Sequence, residues 1–173
     1  MKIIIGGVGQ VGWQITRHLA GEQNDVTVID SNPELVRRAT EALDVQGVTG
    51  FASHPDVLDK AGARDADLII AVTHSDEVNM VTCQVAHSLF RVPRKIARLR
   101  APAYLDAIYS DLYRTDHLPI DVVISPEREV AEAALARLRA PHTFEAEDFL
   151  EGKVRLLGLV LVADSPRLNT PLR

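Results

Sequence analysis

Short apolar runs alternate, over most of the chain, with stretches whose apolar residues recur every three or four positions. Lys2–Ile5 reads as a buried strand, and Gln10–Ala20 follows as a helix on which Val11, Ile15 and Leu19 form one stripe. Val26–Asp30 is a second strand. The next helix opens at Asn32-Pro33-Glu34, which offers a capping side chain, a proline suited to the first turn and an acid near the positive helix end. Val45–Thr49 reads as a weaker third strand, and His54-Pro55-Asp56 opens a short helix that stops at Gly62. Asp67–Val72 is a strong fourth strand and Ser75–Phe90 a long helix. Lys95–Leu99, Ala103–Tyr109 and Val122–Ser125 then read as strand, short helix and strand.

Strict alternation of strands and helices predicts a parallel sheet of about six strands with helices on both faces. Near-continuous apolar strands such as Ile3-Ile4-Ile5 and Leu68-Ile69-Ile70 agree, because parallel strands are buried on both sides. The character changes after residue 125. Ser125-Pro126 caps a helix whose apolar positions Val130, Ala134 and Leu138 share a face that Ala131 and Leu135 widen, and Ala140-Pro141 ends it. Phe144–Leu150 and Val154–Val162 read as two strands joined near Glu151-Gly152-Lys153. A two-stranded ribbon alone is marginal in water, so this one packs on a partner or opens a further lobe. The expected division is therefore 1–125 for the sheet domain, 126–140 for the helix and 141–173 for the ribbon.

Composition narrows the function classes. The 173 residues carry a formal charge of −5, and their basic residues are scattered in runs of at most two, which argues against nucleic-acid binding. Apolar runs such as Ile69–Val72 and Leu156–Ala163 fall far short of the roughly 20 residues that span a bilayer, so direct membrane insertion is not expected. The start, Met1-Lys2 followed by three isoleucines and a glycine, is a strand pattern and not that of a secretory leader. Cys83 is the only cysteine, which rules out an internal disulfide and suits a reducing cytoplasm. Cys83 and His87 lie four apart on a helix, a spacing that can hold a metal, but no further ligands accompany them and core packing is the expectation.

The chemistry centres on Gly7-Val8-Gly9-Gln10-Val11-Gly12, placed after the first strand and opening the first helix. In a dinucleotide-binding Rossmann unit, Gly7 permits the tight turn, Gly9 lets the backbone approach a diphosphate and Gly12 lets the helix pack closely. The helix N-terminus adds unpaired N–H groups and a positive dipole end. The second strand ends in Asp30, 18 positions past Gly12, where a carboxylate can accept both hydroxyls of an adenosine ribose. That charge repels a 2′-phosphate and Ser31-Asn32 brings no arginine, so NAD or an adenine nucleotide is expected in preference to NADP. The competing explanation is a plain tight turn with Asp30 as a helix cap.

Ligands in such sheets lie beyond the carboxyl ends of the strands, where the strand order reverses. Thr73 and His74, at the start of the polar cluster Thr73–Asn79, are expected nearest the ligand's second half. Ser75 and Asp76 are alternatively helix caps and Asn79 a surface residue. Gly50, Phe51 and Ala52 either line an adenine pocket or form a simple turn. Arg98 and Arg100 leave the fifth strand near the same rim, where one clamps a phosphate or both make structural salt bridges.

Taken together, Gly7–Gly12, Val28-Ile29-Asp30, Ser53–Leu58, Ala71–Met80, Ile96–Arg100 and Ile124–Glu127 resemble the RCK (KTN) nucleotide-binding domains of the TrkA family. These are cytoplasmic regulatory subunits of bacterial Trk potassium-uptake systems. The likeness continues into Gly152–Leu156, similar to the start of the small C-terminal RCK lobe. Gly6 stands where the family usually has a larger apolar residue, and His74 and Val78 where Asn and Thr are common. The resemblance implies that Gly7, Gly9, Gln10, Val11, Asp30, Thr73 and Arg98 contact NAD(H) or ATP/ADP/AMP. It also implies that the helix at 126–140 is a crossover helix forming a homodimer or tetramer, and that the partner is a membrane-embedded potassium transporter subunit at the inner face of the cell membrane.

The alternative is an NAD-dependent oxidoreductase or reductase acting on a small molecule. Tyr104, Tyr109 and Tyr113 have no lysine four residues on, so the Tyr-x-x-x-Lys pair of short-chain reductases is missing. His74 is the one histidine expected at the crevice, with only Asp76 or Glu77 as carboxylate partner. A non-enzymatic regulator is the favoured expectation.

Overall fold

A computed structural model describes residues 1–139, 143–149 and 154–159. The chain divides into two compact units, Met1–Ser125 and Pro126–Arg173. In the first, strands β1 (Lys2–Gly6), β2 (Asp25–Asp30), β3 (Gln46–Thr49), β4 (Leu68–Ala71), β5 (Arg94–Arg98) and β6 (Val122–Ile124) form one sheet in the order β3-β2-β1-β4-β5-β6. Every pairing is parallel. Four helices connect them: α1 (Gln10–Ala20), α2 (Pro33–Ala42), α3 (Pro55–Lys60) and α4 (Asp76–Phe90). This is a doubly wound Rossmann sheet, whose order reverses between β1 and β4.

The pleat of β1 sorts the core. Ile3 and Ile5 point to one face, where they pack with Val26, Val28 and Ile70 beneath Val11, Ile15 and Leu19 of α1 and Leu35 of α2. Ile4 points to the other, against Ile29, Ile69 and Leu58 of α3. Because successive side chains alternate across the sheet, a strand covered on both sides must be apolar throughout, which explains the unbroken isoleucines. Cys83 lies in the core with Ala71, Ala97 and Leu99, and burial pushes its thiol up to about 12, so it stays protonated.

Two features depart from the periodicity. Ala103–Tyr109, expected as one short helix, is instead two 3₁₀ stretches, Pro102–Leu105 and Ala107–Tyr113. Asp106 separates them in extended backbone, and its side chain accepts from the Ile108 N–H at 3.0 Å, a local bond that competes with helix continuation. Lys95 is buried within β5, with its Nζ 2.8 Å from Asp121 Oδ2 and 3.3 Å from the carbonyls of Val92 and Pro93. A buried ammonium persists because it is paired and bonded on several sides.

In the second unit, α5 (Pro126–Arg139) is followed by an antiparallel pair, β7 (Thr143–Phe149) and β8 (Val154–Leu159). The breaking dipeptide Ala140-Pro141 and the turn expected at Glu151-Gly152-Lys153 lie outside the described residues.

Ile5, fully buried at the sheet centre, should cost about 2–5 kcal/mol when replaced by alanine. Urea unfolding of Ile5→Ala should show a lower midpoint with an unchanged slope.

Candidate functional site

A cleft of about 510 Å³ opens along the carboxyl ends of β1 to β5, a size typical of small-molecule sites, which run to roughly 300–1,000 Å³. Gly7, Gly9, Gln10 and Val11 line it from the β1–α1 turn, and Asp30 and Ser31 from the end of β2. Gly50, Phe51 and Ala52 come from the end of β3, Thr73 and His74 from β4, and Arg98 from β5. Segments far apart in sequence thus meet because parallel strands all end on one side.

The three loop glycines answer to different constraints. Gly7 has φ +99°, and a side chain there would also press within 2.8 Å of the Thr73 nitrogen. A β-carbon on Gly12 would collide with the Gly7 carbonyl oxygen. Gly9 is different: its φ of −66° suits any residue, and an added β-carbon would meet nothing within 4 Å. The fold therefore requires Gly7 and Gly12, whereas Gly9 keeps open a space that faces the cleft.

The same loop leaves a positive helix end bare. Among the described α-helices, α1 alone has neither a side-chain cap nor an acid in its first turn. Asn32 caps α2, accepting from the Glu34 N–H at 3.0 Å, and Ser75 caps α4, accepting from the Val78 N–H at 3.3 Å. The first amides of a helix have no acceptor within it, so those of α1 are available to an anion in the cleft.

Asp30 has two roles. Its Oδ2 accepts from the Val8 N–H at 2.7 Å and its Oδ1 from the Asn32 N–H at 2.9 Å, which fixes the carboxylate against the loop. A carboxylate offers about four acceptor positions, so capacity for two ligand hydroxyls remains.

Three of the candidate residues do not line the cleft. Val8 is buried and contributes its N–H to Asp30. Gly12 is buried behind the turn, as its packing requires. Arg100 turns aside: its guanidinium donates to the His74 carbonyl and lies 3.8 Å from Asp76 Oδ1. Of the two arginines, Arg98 is the one at the cleft.

Several cleft residues, Ile29, Asn32, Leu35, Val72 and Val78, were not among the candidates. Ser75, weighed between the ligand's second half and a helix cap, both lines the cleft and caps α4. Asn79, with a surface position as one expectation, is fully buried. Its Oδ1 accepts from the N–H and hydroxyl of Thr73 at 2.8 and 2.7 Å, and its Nδ2 donates to the carbonyls of Thr73 and Arg98 at 3.2 and 2.8 Å. A signal existed: Asn79 stands four residues before Cys83 and seven before Ala86 on the inward stripe of α4. Asp76 is likewise buried, its Oδ2 accepting from the N–H groups of Arg100 and Ala101 at 2.9 and 2.8 Å. Gly6 leaves room for buried Ala52, since a β-carbon would lie 2.8 Å from Ala52 Cβ.

The TrkA-N domain family model matches residues 3–126, which takes in the cleft and all of the sheet but Lys2. The chain belongs to the TrkA-N domain family. A relative from Azorhizobium caulinodans, a Trk system potassium uptake protein TrkA, is 51% identical over 172 residues, which is 99% of this chain and 38% of the relative. The chain thus spans well under half the length of this curated relative. Among solved structures, the TrkA-N domain of the Escherichia coli inner membrane protein YbaL matches with a TM-score of 0.66 at 20% identity, over 79% of this chain and 96% of that one. The GsuK channel bound to NAD matches with a TM-score of 0.63 at 20% identity, over 87% of this chain and 25% of that one. At those identities the two structures establish the shared TrkA-N fold.

Fold and binding separate at the loop glycines. Gly12→Ala should destabilise the TrkA-N unit by several kcal/mol, about 1–3 kcal/mol or more for an overpacked contact. Gly9→Ala should leave the thermal midpoint within a degree or two of the parent, and parallel melting curves of the two variants check the contrast.

Proposed function

We propose that this chain is the nucleotide-sensing part of a regulatory subunit of a Trk-type potassium-uptake system, with NAD or NADH as its ligand and ATP, ADP or AMP as alternatives. The observation that carries the reading is the uncapped N-terminus of α1 beside the unfilled space at Gly9, next to a fixed carboxylate at Asp30. The first two suit a diphosphate and the third an adjoining ribose. In this reading Gly7, Gly9, Gln10 and Val11 hold the diphosphate, and Asp30 with Ser31 holds the adenosine ribose. Gly50, Phe51 and Ala52 border the adenine, and the exposed ring of Phe51 suits stacking. Thr73, His74 and Arg98 border the distal half. Asp30 disfavours a 2′-phosphate by charge, which selects NAD over NADP. The name of the Azorhizobium relative and the NAD of the GsuK channel structure support the same assignment.

The subunit does no chemistry of its own in this reading. Bound nucleotide acts by preferring one arrangement of the assembly, and the preference is reciprocal: the arrangement that favours the ligand is the one the ligand favours. The cytoplasmic assembly is a homodimer or tetramer docked on a membrane-embedded potassium transporter subunit. None of the described helices is long and apolar enough to cross a membrane, so in this reading contact with the bilayer runs through that partner. Val130, Leu135 and Leu138 of α5 are 69%, 49% and 77% exposed, which supports α5 as the dimerising helix, since such a face gains by burial against a second copy.

Calorimetry tests the ligand. Asp30→Ala should weaken NAD binding by about 1–3 kcal/mol through loss of charged hydrogen bonds, and an unchanged affinity would remove the ribose assignment. Light scattering tests the assembly: the chain should be at least dimeric, and Val130→Asp with Leu138→Asp should drive it to monomer.

A further inference from the structure

The hydrogen bonds around Thr73 determine what kind of ligand atom can meet it. The amide of buried Asn79 has only one satisfactory orientation. The Thr73 backbone N–H is a donor and must face Oδ1, while the carbonyls of Thr73 and Arg98 are acceptors and must face Nδ2. With the oxygen so placed, the single hydroxyl proton of Thr73 goes to Asn79 Oδ1 at 2.7 Å, with the Ser75 carbonyl at 3.2 Å as its other acceptor. Both acceptors belong to the protein. The Ser75 N–H, at 3.3 Å, takes one lone pair of Oγ1, which leaves the second.

We infer that Asn79 is a positioning residue that makes the Thr73 hydroxyl an acceptor toward the cleft, so that the ligand group at Thr73 is an O–H or N–H and not a phosphate oxygen. The inference rests on the reading of the cleft as a nucleotide site. Across the sheet the cleft residues run from Phe51 after β3 to Asp30 after β2, the glycine loop after β1 and Thr73 after β4. A ligand with its ribose at Asp30 and its diphosphate at the loop brings whatever is attached beyond the diphosphate to Thr73. In NAD(H) that group is a second ribose, whose hydroxyls can donate. In ADP the ligand ends at a terminal phosphate, which at neutral pH has oxygens that only accept. Thr73 therefore recognises dinucleotides and nucleoside-diphosphate sugars and contributes nothing to ADP.

Titration calorimetry of the chain with ADP and with ADP-ribose tests this. Both should bind the unmodified chain. Thr73→Val should lower the affinity for ADP-ribose about tenfold, the worth of one buried hydrogen bond, and leave that for ADP within about twofold on the same scale. Thr73→Ser, which keeps the hydroxyl, should retain both. Equal weakening of ADP and ADP-ribose would mean that the hydroxyl serves a phosphate, and no change in either would mean that it meets no ligand; each result overturns the inference while the nucleotide reading survives. Failure of both ligands to bind the unmodified chain overturns that reading and the inference with it. If circular dichroism shows that Thr73→Val does not fold, Thr73→Ala carries the same comparison.

Discussion

The structure turns on the junction where β1 leaves the sheet. There the Gly7 N–H donates to the Ile29 carbonyl, the Val8 N–H to the Asp30 carboxylate and the Val72 N–H to the Gly6 carbonyl, each at 2.7 Å. These bonds knit the ends of three neighbouring strands and force the chain to reverse within a few residues. The reversal needs a left-handed residue at Gly7 and close packing at Gly12. It delivers the start of α1, with no side-chain cap, to the point where the strand order changes. Architecture and anion-binding capacity thus follow from one local constraint.

The two walls of the cleft are built differently. On the β2 side, the carboxylate of Asp30 is held by two backbone N–H groups and stays partly accessible. On the β4 side, Asn79 and Asp76 reach from the first turn of α4 to the backbone at Thr73, Arg98, Arg100 and Ala101. Both ends of the buried Asn79 amide are matched, and a matched buried amide holds a geometry more strictly than apolar packing does. The positive end of α4 is compensated by Ser75, Asp76 and Glu77, while that of α1 is left open. In the proposed function the anion therefore sits on the α1 side, while the α4 side offers fixed hydrogen-bonding groups.

Much of this was legible beforehand. The alternation of strand and helix, the buried isoleucines and the glycine spacing led to a Rossmann sheet, and the TrkA-N family membership follows the same residues. Gly7, Asp30, Gly50, Thr73 and Arg98 of the cleft were legible because each lies at or just past a strand end and parallel strands end together. Which of Arg98 and Arg100 faces the cleft was not legible, since residues near one strand end share a region but not a direction. The 3₁₀ stretches on either side of Asp106 were missed because a single side-chain bond outweighed a weak helical pattern.

Periodicity and turn chemistry are local, and the sequence alone was enough to determine them: which segments are strands, which face of each helix is apolar and where glycine is needed. Partnership across the sheet is not local. Only the tertiary structure decided that a β-carbon at Gly9, unlike one at Gly7 or Gly12, would meet nothing within 4 Å. It alone buried Asn79 and set its amide, and it alone turned Arg100 toward His74 and Asp76. Such outcomes depend on groups up to 26 positions apart, whose geometry exists only once the strands have aligned.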